Sequence, residues 1–257
     1  MRSRRDLLTT ATLVAAGLAL PGCKKDRKAQ PPAPRAAAPT PARGALLTRA
    51  IPSTGEPLPV IGMGTSGSFE VSADTPEYEA LAQVLRVFFE GGGRVIDTSP
   101  NYGSAETVLG ELLAAGGYRE RCFLATKLAA DDLATAQAQW AESLRRLKTE
   151  RVELLQVHNL RAWELQLPYA RELKAQGKTR YVGLTHFRES GHAELARIVR
   201  AHKPDFLQVN YSVSSPQAAQ SLFPLAQELG VAVLVNRAFE DGRLFTQVGD
   251  RPLPGWA

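Results

Sequence analysis

Four side chains in this sequence have the types and the spacing for proton chemistry: Asp97, Tyr102, Lys127 and His158. Three of them close short apolar runs, Val95-Ile96-Asp97, Ala125-Thr126-Lys127 and Gln156-Val157-His158. Tyr102 follows Asp97 by five residues. A buried ammonium beside a phenol favours the phenolate, and a carboxylate beside that ammonium keeps it charged despite burial. A nearby imidazole can hydrogen-bond a substrate oxygen and fix its orientation. Such a phenol suits a general acid that protonates a carbonyl oxygen while hydride arrives at the carbon. Taken singly, each residue has an ordinary account: Asp97 as a turn cap, His158 as a satisfied interior side chain. The four together, in this order at the ends of apolar runs, point to one site. A metal-dependent hydrolase would need clustered His and carboxylate ligands, and only Asp97 and His158 qualify, so no metal is expected.

The elements that would position them are legible. Strands are predicted over residues 60–64, 94–97, 122–127, 152–158, 181–184, 206–210 and 231–235. Helices are predicted near 105–114, 132–147, 163–176, 190–202 and 216–229. One more starts at Thr75-Pro76-Glu77, with Thr75 as N-cap, and runs to about Phe89 before Gly91-Gly92-Gly93. Ahead of them, apolar segments flank Ser53-Thr54-Gly55-Glu56, a hairpin turn. Strands buried on both faces and separated by helices are parallel, with crossover connections. Seven such units predict a (β/α)8 TIM-barrel type of fold with the eighth unit missing. No G-x-G-x-x-G follows the first strand, which argues against a Rossmann domain. Chemistry in such barrels gathers at the C-terminal ends of the strands, where Asp97, Lys127 and His158 fall.

The net charge of +5 is concentrated at one end. Residues 1–43 hold nine Lys/Arg against two Asp/Glu, whereas the other 214 hold 22 against 24. The body is slightly acidic and carries no basic stripe, so no nucleic-acid partner is expected. Residues 1–23 read as an export signal: the twin arginine Arg4-Arg5, then an apolar stretch over residues 7–20, too short to span a bilayer. Leu20-Pro21-Gly22-Cys23 resembles a lipoprotein processing site with Cys23 as the acylated residue. The expected location is therefore periplasmic or membrane-anchored, with membrane contact only through this signal or a lipid. Residues 24–43 hold five prolines and form a solvated tether, leaving residues 44–257 as the folded domain. The remaining cysteine, Cys122, opens an apolar run and is expected to be a buried structural thiol.

Several segments resemble the aldo-keto reductases. They are Gly93-Arg94-Val95-Ile96-Asp97-Thr98-Ser99-Pro100-Asn101-Tyr102-Gly103-Ser104-Ala105-Glu106, Leu124-Ala125-Thr126-Lys127, Leu154-Leu155-Gln156-Val157-His158, Tyr181-Val182-Gly183-Leu184-Thr185 and Phe206-Leu207-Gln208-Val209-Asn210-Tyr211-Ser212. The resemblance spans about residues 46–245. It implies NADPH-dependent reduction of a small-molecule aldehyde or ketone, with NADH left open. Tyr102 would be the proton donor, Lys127 and Asp97 its activators, and His158 the group that orients the carbonyl. It also implies cofactor contacts from Gly64, Thr65, Thr185, Gln208 and Tyr211. His186 stands where the family often has Asn, and is a further candidate.

The C-terminal part departs from that family. After the seventh strand, Asn236-Arg237-Ala238-Phe239-Glu240-Asp241-Gly242-Arg243-Leu244-Phe245 leads to Trp256-Ala257 without a seventh long helix or an eighth strand. The resemblance implies that the absent stretch would grip the cofactor's 2′-phosphate. Two explanations stand: a truncated product or fragment of a longer parent, which is favoured, or a missing layer supplied by a second chain or an unusual closure. Two functions follow, an exported carbonyl reductase or a catalytically silent barrel serving as a binding or regulatory module.

Overall fold

The computed structural model describes residues 46–252, 254 and 255. The expectations for the export signal, Cys23 and the 24–43 tether fall outside the described residues. The first elements are two short antiparallel strands, β1 (Thr48–Ala50) and β2 (Pro57–Pro59), joined by the turn read at residues 53–56. This hairpin closes the barrel floor. Ile51 and Leu58 are buried against Val95, Phe123, Ala125, Leu154, Tyr181 and Phe206. The Tyr181 hydroxyl, carried to the floor by its strand, lies 2.8 Å from both Thr54 Oγ1 and Glu56 Oε2.

Seven strands follow in one parallel sheet whose spatial order is the chain order: β3 (Met63–Gly64), β4 (Val95–Asp97), β5 (Phe123–Leu128), β6 (Val152–Val157), β7 (Thr179–His186), β8 (Phe206–Asn210) and β9 (Ala232–Asn236). The helices between them are α1 (Pro76–Glu90), α2 (Ala105–Ala115), α3 (Leu133–Arg146), α4 (Trp163–Ala175), α5 (His192–His202) and α6 (Ala218–Leu229). The architecture is a nearly closed TIM-type barrel of β/α units, as the sequence pattern predicts. β5 and β6 are buried along their whole length, because one face meets the barrel interior and the other the helices. Helix starts follow local rules: Thr75 accepts a hydrogen bond from Tyr78 N at 3.3 Å, and Asp132 accepts one from Thr135 N at 2.9 Å. Gly110 lets α2 reach the end of α3, for a Cβ there would lie 2.1 Å from the Arg146 carbonyl oxygen.

The first predicted barrel strand, residues 60–64, is reduced to Met63–Gly64. Val60 is tied to the hairpin through Leu47 O at 3.0 Å, and Ile61 is exposed. Among the described residues β3 pairs only with β4, and β9 only with β8, so these two edges leave a slot between them. A cavity of about 1420 Å³ runs through this slot, from Leu58, Val95 and Phe206 at the floor to Tyr102 and His158 at the mouth. Beyond β9 the described residues form a 3-10 turn at Glu240–Gly242 and a short helix, α7 (Arg243–Val248).

Candidate active site

Parallel register brings the predicted proton-chemistry residues to one end of the barrel. Asp97 closes β4 opposite Ala125, Lys127 on β5 lies opposite Gln156 on β6, and His158 directly follows β6. The Lys127 side chain is 1% exposed, so its ammonium must find protein partners. It donates to Asp97 Oδ2 at 2.6 Å and to the Thr98 carbonyl at 2.7 Å. Asp97 Oδ1 accepts from Gln156 Nε2 at 2.9 Å.

Tyr102 reaches the group from the loop between β4 and α2. Tyr102 N donates to Ser99 O at 3.1 Å and its carbonyl accepts from Ala105 N at 2.8 Å, which fixes the turn leading into α2. Lys127 Nζ lies 5.0 Å from the centroid of its ring. The Tyr102 and His158 rings meet edge-on, with centroids 6.0 Å apart. Burial, reinforced by the Lys127 charge and only partly opposed by Asp97, pushes His158 down to about 4. The imidazole is therefore neutral at pH 7. Its Nδ1 lies 3.3 Å from Ser99 Oγ. With the serine donating there, the imidazole proton sits on Nε2, which is left for a ligand in the cavity that His158 lines.

Gly64, Thr65, Thr185 and Gln208 all line the same cavity. Thr65 is buried, with its amide donating to Asp97 O at 3.1 Å and its hydroxyl to Thr98 Oγ1 at 2.9 Å. Thr185 on β7 lies opposite Gln208 on β8, and its hydroxyl accepts from Asn159 N at 3.1 Å. Asn159, Leu160 and Ala162 adopt left-handed backbone conformations just after β6, a strained turn beside His158. Tyr211 packs on Phe223, centroids 4.9 Å apart, and the His186 Nδ1 is held 2.9 Å from Arg188 O. Neither of these two is among the residues lining the cavity.

Residues outside the predicted set complete the site. Asn236 lines the cavity, and its Oδ1 is buried with no partner among the described residues. An acceptor there, lining the same cavity as Thr185 and Gln208, suits a ligand amide that both donates and accepts, as a nicotinamide carboxamide does. Gly64 has open space where a Cβ would be, so its backbone is accessible to a ligand. Glu106 on α2 lies behind β5, accepting from Thr126 Oγ1 at 2.7 Å and Ser143 Oγ at 3.0 Å. Burial raises its carboxyl above the usual range. Gln156 was legible as an inward residue, two positions before His158 on an alternating strand, but its partner was not.

A model of the Aldo/keto reductase family matches residues 60–254. The aldo-keto reductase YhdN of Bacillus subtilis is 26% identical over 200 residues, which cover 72% of this chain and 60% of that protein. L-galactose dehydrogenase of Arabidopsis thaliana is 32% identical over 152 residues, covering 53% and 47%. The chain thus spans about half to three-fifths of the length of these curated relatives. Among solved structures, an aldo/keto reductase from Klebsiella pneumoniae in complex with NADP and acetate is 26% identical. Its TM-score is 0.63, with 74% of this chain and 68% of that one covered.

Proposed function

Since the chain belongs to the aldo/keto reductase family, whose members are oxidoreductases, we propose that it reduces an aldehyde or ketone with NADPH, using Tyr102 as general acid. One observation carries this reading: the Lys127 ammonium, paired with Asp97, lies against the Tyr102 ring, next to a neutral His158. Thr185, Gln208 and Asn236 would hold the nicotinamide carboxamide, with Gly64 and Thr65 beside it. The chemistry a bound reduced nicotinamide supplies is hydride for the carbonyl carbon. Tyr102 donates its phenolic proton to the carbonyl oxygen, where negative charge would build as the C=O π bond opens, and the product is the alcohol. Lys127 stabilises the phenolate left behind, and Asp97 offsets the cost of keeping that ammonium charged in the interior. The His158 Nε2 proton hydrogen-bonds the same oxygen and fixes the carbonyl's orientation.

The open slot between β3 and β9 favours the second reading, a barrel that retains the four residues but performs no reduction. The two are separated by titrating the full chain with NADPH, followed by cofactor fluorescence, and by turnover of an activated aldehyde. Saturable micromolar binding, with turnover that Tyr102→Phe lowers by about 10²-fold or more, supports the reductase. A folded protein that binds no NADPH overturns it, as does a Tyr102→Phe loss below threefold. We also propose that the protein is exported by the twin-arginine route with cofactor already bound, and anchored through Cys23. Release of Cys23→Ser from the membrane fraction supports the anchor, and unchanged fractionation refutes it.

A further inference from the structure

Gln156 is the least explained polar side chain in the barrel. It is fully buried. Its Nε2 donates to Asp97 Oδ1 at 2.9 Å, while its Oε1 has no partner among the described residues. A leucine of similar volume would bury no unpaired oxygen of its own, so a glutamine here carries an energetic cost that its one hydrogen bond to Asp97 must justify. The fold makes room for it. Gly183 lies opposite Gln156 on β7, and a Cβ at Gly183 would come within 2.9 Å of Gln156 Cγ. On its other side Gln156 is in register with Lys127. The amide is therefore wedged between the ammonium's strand and a glycine, and the orientation with Nε2 toward Asp97 is fixed. The reverse orientation would set two acceptors against each other.

We infer that Gln156 is a positioning residue for the proton-transfer site. It grips one oxygen of Asp97 so that the other stays on Lys127 Nζ. The carboxylate has two oxygens and two donors, one charged and one neutral. A second cation in place of the amide would compete with Lys127 for the carboxylate, whereas the neutral N–H orients Asp97 and leaves its charge to Lys127. Without that grip Asp97, whose side chain is 19% exposed, is free to rotate toward the mouth, and Lys127 is left under the Tyr102 ring with only the Thr98 carbonyl as a fixed partner. The role in turnover rests on the reductase reading, while the contact itself does not.

The test has two arms. In the first, Gln156→Leu is expected to lower kcat for an activated aldehyde about tenfold while KM for aldehyde and NADPH stays within about twofold. Gln156→Met replaces it if the leucine protein does not fold. A kcat within twofold of wild type overturns the inference. The second arm needs no activity. The charged or titratable groups facing position 156 are Asp97 from β4, Lys127 from β5 and His158 from the turn after β6, whereas β7 opposes it with Gly183. Gln156→Glu sets a second carboxylate against Asp97 and is expected to lower Tm at pH 8. Adding Asp97→Asn remakes the hydrogen bond with reversed polarity and is expected to recover at least half of that loss. Absence of recovery overturns the inference. If wild type shows no reduction at all, the reductase reading falls and this exchange alone decides the contact.

Discussion

Neutral His158 makes a quantitative prediction about pH and stability. Its folded value of about 4 lies below the ordinary 6.5, because burial and the Lys127 charge disfavour the imidazolium. The unfolded chain therefore binds a proton between these two values that the folded protein excludes. A group depressed in this way contributes stability that is fully present above about pH 6.5 and is lost as pH falls toward 4. Between pH 7.5 and pH 5 the loss attributable to this one side chain is about 2 kcal/mol. Other groups titrate over the same range, so the measurement is a difference. Wild type and His158→Gln are unfolded in urea at both pH values, and the free energies are extrapolated to water. Wild type should lose about 2 kcal/mol more than the variant on going to pH 5. Parallel losses, within about 0.5 kcal/mol, would falsify the assignment of a neutral buried imidazole. The role of His158 as a hydrogen-bond donor to a carbonyl would then need rethinking, since an imidazolium is also a competing acid.

Further outcomes follow from the same structure. Lys127→Met leaves Asp97 with only the Gln156 amide, and should cost about 2–4 kcal/mol in urea unfolding at pH 7.5 as well as abolishing turnover. A loss under about 0.5 kcal/mol would mean that the pair is solvated rather than buried. Gly110→Ala drives a methyl into the Arg146 carbonyl, where backbone cannot yield, and should cost about 3 kcal/mol. An unchanged urea midpoint would refute the close approach of α2 and α3. Burial pushes Cys122 up to about 12. In a Cys23→Ser protein at pH 8, an aromatic disulfide reagent should therefore titrate no thiol in the native state and one in denaturant.

The sequence by itself determined the order of elements and the residues at the strand ends. Apolar runs such as Phe123–Leu128 are set by local composition, and helix starts at Thr75 and Asp132 by side chains that cap their own backbone. Period-two alternation also assigns Gln156 and His158 to one face without any knowledge of the fold. Tertiary structure decided everything that depends on a partner distant in the chain. Asp97 meets Lys127 and Gln156 only because three parallel strands align in register, and a single-residue slip would turn Gln156 outward. His158 loses its charge because the barrel removes water from it and sets Lys127 nearby, neither of which is written in Gln156-Val157-His158. Tyr211 packs on Phe223 and the His186 ring is held by the Arg188 backbone, contacts that a motif position does not encode. β3 shrank to two residues because a strand lasts only as long as its neighbour pairs with it, and that pairing is a property of the assembled sheet.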